Sequence, residues 1–91
     1  PMTENSTDAL SDLADQIDDE FEAYRQSNQF KDISLVIDNN EHTDPTLIVH
    51  IDGDDASSLA SRIDEFLRER GARTEREQYS ETDVRVLATL D

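Results

Sequence analysis

Cysteine is absent from this 91-residue chain, and glycine occurs only at Gly53 and Gly71. Without cysteine the chain forms no disulfide, no thiolate metal site and no cysteine nucleophile. Two isolated glycines exclude a glycine-rich phosphate-binding loop. The chain also lacks an apolar run approaching the roughly 20 residues that span a membrane. Because residues 1–10, PMTENSTDAL, contain no basic segment followed by an apolar one, we expect no signal peptide and a cytoplasmic location without membrane contact.

Basic residues are scarce as well: the chain has 8 lysines and arginines against 23 aspartates and glutamates, a formal net charge of −15. Three interpretations fit this composition: a disordered chain, a nucleic-acid mimic that offers carboxylates to a basic partner, and a cytoplasmic protein of a halophilic archaeon. Lys31 is the single lysine, which favours the halophile, because a mimic from an ordinary cell has no need to avoid lysine. In molar salt the Debye length is about 3 Å, so repulsion between surface carboxylates is screened.

The length of the chain predicts one small domain, residues 7–91, after a disordered polar tail, residues 1–6. A chain of this size buries only about 60–65% of its unfolded surface. That leaves room for one sheet with one layer of helices, and little for a deep catalytic cleft. Regular apolar patterning over the domain argues against disorder.

Two amphipathic helices are predicted from apolar residues that recur every three or four positions. The first begins at Ser6 or Thr7, either of which is a competent N-cap, and ends near residues 26–28. The second follows the break at residues 53–55, and Gly71 provides its C-terminal cap. The apolar stripes are Leu10, Leu13, Ala14, Ile17, Phe21 and Tyr24 in the first helix, and Ala56, Leu59, Ala60, Ile63, Phe66 and Leu67 in the second.

Alternation of apolar and polar residues predicts two antiparallel hairpins. The first joins strands at residues 32–38 and 46–52 through a loop at residues 39–45. The second joins a polar strand at residues 72–79, which we expect at an edge of the sheet, to an apolar strand at residues 83–90.

The element order α-β-β-α-β-β predicts the α+β class. We expect a two-layer sandwich in which two helices cover one face of a four-stranded antiparallel sheet. Moving the first strand of the ferredoxin-like order β-α-β-β-α-β to the end gives this order, so a circularly permuted ferredoxin-like fold is predicted. The opposite sheet face would carry Val36, Ile48, His50, Arg85, Leu87 and Thr89. This mixture is typical of a dimer surface, and the candidate dimer face is Val36, Ile48, His50 and Leu87.

No catalytic or metal-binding constellation emerges from the residues, so we expect no enzyme activity, no metal and no cofactor. The segment 52–55, DGDD, resembles part of a calcium loop, but a strand end and a helix start explain it better. His42 and His50 are too few for a zinc site without cysteine. Ser57 and Ser58 are explained as residues of a helix N-terminus rather than as nucleophiles.

Arginine is concentrated between residues 62 and 85, at Arg62, Arg68, Arg70, Arg73, Arg76 and Arg85. Arginine binds phosphate through two parallel hydrogen bonds, so one interpretation is a phosphate, RNA or DNA contact surface. A protein interface is the second interpretation. The third is a set of solvated ion pairs with nearby glutamates. Strand alternation would also separate the arginines onto two faces, so they need not form one patch.

The segment TLIVHIDGDDASSLASRIDEFLR, residues 46–68, combines a strand, an acidic break and a helix that ends in Leu-Arg. With the preceding helix and hairpin, residues 8–68 resemble the small dimerising subunit of the archaeal KEOPS complex, which makes threonylcarbamoyladenosine on tRNA. The resemblance implies a non-catalytic, dimeric subunit whose partner-contacting surface lies on the helix 55–70. The chain departs from that family in two ways: it lacks the family's first strand, and it adds the hairpin 72–90.

The sequence therefore predicts a non-enzymatic interaction protein of a halophilic archaeon, an accessory subunit or regulator that forms a homodimer or binds another protein. One alternative is an RNA- or DNA-binding accessory module that uses the arginines of residues 62–85. A second alternative is a nucleic-acid mimic.

Overall fold

The computed structural model describes residues 2–26, 30–36 and 45–90, and gives side-chain surroundings for residues 8–24, 26 and 45–90. The elements are α1 (Met2–Glu20), α2 (Glu22–Gln26), β1 (Phe30–Val36), β2 (Thr46–Asp52), α3 (Ala56–Glu69), β3 (Arg73–Gln78) and β4 (Asp83–Thr89). The architecture is α+β, with helices packed against an antiparallel sheet, as the element order predicts.

The first helical region differs from its prediction at both its start and its middle. Helix α1 begins at Met2, so residues 2–6 are helical although the sequence predicts a disordered tail there. No glycine or proline interrupts these residues, and an acidic residue near a helix start interacts favourably with the helix dipole. The predicted single helix is divided at Phe21: the Phe21 N–H still donates to Ile17 O at 2.9 Å, but the Tyr24 N–H donates to Phe21 O at 3.1 Å. This tighter turn separates α1 from α2.

The sheet has the strand order β1-β2-β4-β3, and every neighbouring pair is antiparallel. Strand β2 has the predicted bounds, and β3 lies at the edge as expected. Strand β1 begins at Phe30, two residues before its predicted start, and its register on β2 shifts between Phe30 and Asp32. A bulge of this kind lets a strand continue past an irregular position. The loop 39–44, His42, and the predicted strand end 37–38 lie outside the described residues.

The core lies between the helices and one face of the sheet. Strands β2 and β4 each bury every second residue, and α3 buries five of its predicted stripe positions completely or almost so, at Ala56, Leu59, Ala60, Ile63 and Leu67. From the first helical region, Leu10, Leu13, Ile17 and Phe21 belong to the same cluster. Within the described side chains no polar or charged residue is buried, so the core gains its stability from apolar contact alone.

Two turns connect α3 to the sheet. At its start, the Gly53 N–H donates to Thr82 O at 2.9 Å, which joins the end of β2 to the turn before β4. The segment 52–55 is thus a strand end followed by the start of α3, with Asp55 at the N-cap position. At its end, Gly71 adopts a φ of 89°, the left-handed conformation expected of a glycine after a helix.

Candidate functional site

The most distinctive surface is the face of the sheet turned away from α1 and α3, which we call the outer face. Its described residues alternate with the buried positions of β2, β3 and β4. They are Thr46, Ile48, His50 and Asp52 on β2, Arg73, Glu75 and Glu77 on β3, and Asp83, Arg85, Leu87 and Thr89 on β4. Val36 pairs with Thr46 in the register of β1 on β2, and its side chain lies outside the described surroundings.

The centre of the outer face has an apolar row beside a charged row. Ile48 and Leu87 are directly opposite each other on β2 and β4, and both are half-buried. His50 and Arg85 form the next opposite pair along the same two strands. Side chains this close on adjacent strands are in contact range, so a small apolar centre adjoins two nitrogen-bearing side chains.

His50 is held in place by a carboxylate. Its Nε2 lies 2.5 Å from Asp83 Oδ1, and the two side chains are 21% and 40% exposed. The ring is thereby fixed on the outer face beside Ile48. No third ligand accompanies it: within the described residues, no group of three histidine, aspartate or glutamate side chains is arranged to hold a metal ion.

Arg85 is stacked on an aromatic ring. The centre of its guanidinium lies 5.1 Å from the centroid of the Tyr79 ring, within cation–π range. Tyr79 is 58% exposed, and its hydroxyl donates to Glu77 Oε1 at 2.8 Å. This hydrogen bond, with smaller contributions from burial and the Glu77 charge, raises the pKa of Tyr79 above its ordinary value of 10.0. Arg85 Nε is buried and has no hydrogen-bond acceptor.

The six arginines do not form one patch. Arg73 and Arg85 lie on the outer face, at opposite ends of the β3–β4 pair, whereas the other four lie on the helix side. There, Arg68 Nε donates to Thr74 Oγ1 at 2.8 Å and to Asp64 Oδ1 at 3.1 Å. Its carboxylate partner is Asp64, one helical turn before it.

The remaining helix-side arginines also have partners within the chain. Arg62 donates to the Tyr24 hydroxyl at 2.9 Å. Arg70 donates to Gln16 Oε1 at 2.9 Å, and its guanidinium lies 3.5 Å from the centroid of the Phe66 ring. Arg76 reaches from β3 to α3, where it donates to Ser61 Oγ at 3.0 Å and to Ser57 O at 3.1 Å. These arginines join α3 to α1, α2 and β3.

Two surface depressions of the described residues lie beside the helices. One beside α1 is lined by Asp15, Gln16, Asp18, Asp19 and Glu22. Another, between α2 and α3, is lined by Tyr24, Asp55, Ser58, Leu59 and Arg62. Ser57 and Ser58 lie in the first turn of α3, as predicted, and the Ser57 side chain accepts a hydrogen bond from Gln78 Nε2 at 3.1 Å.

Sequence reasoning placed His50 and Arg85 on one sheet face but missed Tyr79, Glu77 and Asp83 as their neighbours. The register of the β3–β4 hairpin is the feature that would have identified these three neighbours. Once Glu77 is opposite Arg85, the alternation of β3 places Tyr79 on the same face. That register depends on the turn between the strands, where the Tyr79 N–H donates to Asp83 O at 2.9 Å.

Comparison of the chain with known protein families, with curated proteins and with solved structures finds no match. Among the helices of the described ranges, none has both the length and the apolar character required to cross a bilayer.

Proposed function

We propose that this chain is a non-enzymatic interaction protein, an accessory subunit or regulator, that forms a homodimer through the outer face of its sheet. The observation that carries the proposal is the opposite pair Ile48 and Leu87 at the centre of that face. Two aliphatic side chains among ordered polar neighbours match the composition of a protein interface, which has an apolar centre and a polar rim.

The surroundings of this pair favour a protein partner over a small substrate. His50 is ordered by Asp83, and Arg85 is ordered by the Tyr79 ring, so the face presents fixed side chains. Fixed side chains lose little conformational entropy on binding. Arginine and tyrosine are also the residue types most enriched at the energetic centre of interfaces.

The fold supports the same proposal. The strand order β1-β2-β4-β3 is the order obtained when the first strand of a ferredoxin-like sheet is moved to the C-terminal end, so we propose that circular permutation for this chain. In such a sandwich the helices cover one face and leave the other for a partner. Membership of the small KEOPS subunit family would instead place a partner on α3, and remains a proposal that rests on residues 8–68.

The proposed source is a halophilic archaeon, with the protein in the cytoplasm. Support comes from the excess of acidic residues, the single lysine and the confinement of described charged side chains to the surface. Screening of like charges by salt stabilises such a chain. Thermal unfolding followed by circular dichroism should therefore show a midpoint that rises steeply with KCl concentration; a midpoint independent of KCl contradicts a halophilic origin.

Binding of RNA or DNA is the second candidate, and the arginines support it less well. Arg62, Arg68, Arg70 and Arg76 already donate hydrogen bonds within the chain. Phosphate contacts also weaken steeply in molar salt. A nucleic-acid mimic, acting through the acidic surface of α1, is the third candidate. It predicts competition with DNA for a basic protein.

Sedimentation equilibrium in molar KCl tests the proposal. The wild type should sediment with twice the chain mass of 10.3 kDa, and Leu87→Glu should sediment as the monomer. A matched control is Ser58→Glu, which adds the same charge on the exposed surface of α3 and should leave the dimer intact. A monomeric wild type, or a Leu87→Glu variant that remains dimeric, contradicts the proposed interface.

A further inference from the structure

Among the outer-face cations that the structure describes, Arg85 is the one with a buried donor that has no acceptor. Its Nε is buried without an acceptor, and the only described interaction of its guanidinium is with the Tyr79 ring. A buried donor without an acceptor destabilises a folded chain, and a charged donor does so more strongly. A guanidinium stacked on a ring keeps its in-plane donors directed outward, in the geometry that a carboxylate accepts.

The carboxylates near Arg85 within the same chain are already engaged. Asp83 holds His50, Glu77 accepts the Tyr79 hydroxyl, and Asp52 has a polar contact of its own. Glu75 is the exception: within the described residues it makes no hydrogen bond or ion pair. It lies on β3 opposite Leu87, one row along the strands from Arg85, and the two side chains do not bond each other.

We propose that Arg85 binds the carboxylate of Glu75 in a second copy of this chain. The inference rests on the proposed dimer and names the contact that fixes its geometry. A two-fold interface is self-complementary, so a contact between residue i and residue j occurs twice. One unpaired guanidinium and one unpaired carboxylate on the same face can therefore satisfy each other reciprocally across the axis.

The composition of the face favours a second copy over a phosphate. Besides Glu75, the outer face carries Glu77, Asp83 and Asp52, which repel a polyanion that approaches Arg85. A second copy brings Arg73 and Arg85 to the contact as well as carboxylates, so part of this repulsion is offset by attraction that a polyanion does not provide. The row of Ile48 and Leu87 beside the pair would exclude water from it, and ion pairs shielded from water are screened less by molar salt.

Exchange of the two charges is the experiment that tests the contact. In sedimentation equilibrium at molar KCl, Arg85→Glu and Glu75→Arg should each raise the dimer dissociation constant about 30-fold or more, because each places like charges together. The double variant Arg85→Glu/Glu75→Arg should return that constant to within about threefold of the wild type. Circular dichroism reports folding of each variant, and Arg85→Gln tests loss of the donor if Arg85→Glu does not fold.

Glu65→Arg is the control, because Glu65 is an exposed carboxylate on α3, away from the outer face, and its reversal should leave the dissociation constant unchanged. If the double variant is no tighter than either single variant while Leu87→Glu still prevents dimerisation, the Arg85–Glu75 contact is wrong and the proposed dimer stands. If the wild type is monomeric, the proposed function fails and this contact fails with it.

Discussion

His50 of β2 and Asp83 of β4 are joined by a contact of 2.5 Å between His50 Nε2 and Asp83 Oδ1, 33 residues apart in sequence. The contact crosses the central pair of strands at the edge of the apolar row. It fixes the orientation of the imidazole and engages the carboxylate of the first residue of β4. The outer face thus has an ordered polar border on one side of Ile48.

A double-mutant cycle measures how much this contact contributes to the free energy of unfolding. His50→Ala, Asp83→Ala and the double variant should give a coupling energy of about 0.5–1 kcal/mol in urea unfolding, because both side chains are partly exposed to water. As a control, His50→Ala combined with Glu81→Ala should give a coupling near zero, since Glu81 is an exposed carboxylate in the same turn region. A zero coupling for His50 and Asp83 contradicts a specific bond.

Leu47 and Ile48, neighbours on β2, should contribute differently to the stability of the monomer. Leu47 is fully buried on the helix side, and Leu47→Ala should lower the free energy of unfolding by about 2–5 kcal/mol. Ile48 is half-buried on the outer face, so Ile48→Ala should cost the monomer only about 1 kcal/mol. Urea unfolding, measured at protein concentrations low enough for the chain to be monomeric, distinguishes these two losses of stability. Equal losses would mean that Ile48 belongs to the core.

The turn after α3 depends on glycine for conformational rather than steric reasons. Gly71 has a φ of 89°, and no atom lies within 4 Å of the position of an added Cβ. Gly71→Ala should therefore lower the free energy of unfolding by about 1–2 kcal/mol through backbone strain alone. Gly71→Asn should cost less, because asparagine tolerates this conformation better. Urea unfolding in molar KCl checks both, and an alanine variant as stable as wild type refutes the strain.

Tyr79 should titrate above pH 10. Its pKa is raised chiefly because the hydroxyl donates to Glu77, and secondarily through burial and the Glu77 charge. The hydrogen bond requires the neutral phenol. Its contribution to stability is therefore fully present below the unfolded-state pKa of 10.0 and is lost as pH rises through the higher folded-state value.

Ultraviolet absorbance measures this titration. The chain has two tyrosines and no tryptophan, so a Tyr24→Phe background leaves Tyr79 as the only phenol. In that background, Glu77→Ala should lower the pKa of Tyr79 toward 10, because both the acceptor and the negative charge are removed. No change on Glu77→Ala would show that the hydroxyl does not bond Glu77 in solution.

The strand β2 and the helix α3 were predictable because each satisfies one periodicity without conflict. Leu47, Val49 and Ile51 alternate, and Leu59, Ile63 and Leu67 recur every four residues. The division at Phe21 was not predictable from periodicity, since Phe21 occupies its expected place in the apolar stripe. It coincides instead with tertiary packing, in which the Phe21 ring meets Phe66 of α3 edge-on at 5.5 Å.

The outer face was predictable as a set of positions, not as a set of contacts. Alternation alone places Ile48, His50, Arg85 and Leu87 on one side of the sheet. The bond between His50 and Asp83 depends on how β2 and β4 are paired, and these strands are separated by α3 and β3 in sequence. Local propensity carries no information about such a register.

Cross-linking between single cysteines tests whether the outer face is the dimer interface, since the chain contains no cysteine of its own. Thr89→Cys lies at the margin of the outer face, and Ser58→Cys lies on the exposed side of α3. With a bifunctional maleimide in molar KCl, we expect efficient cross-linking of Thr89→Cys into covalent dimers and none of Ser58→Cys beyond the level of random collision. Efficient cross-linking of Ser58→Cys with none of Thr89→Cys would contradict a dimer through the outer face and place the interface on α3.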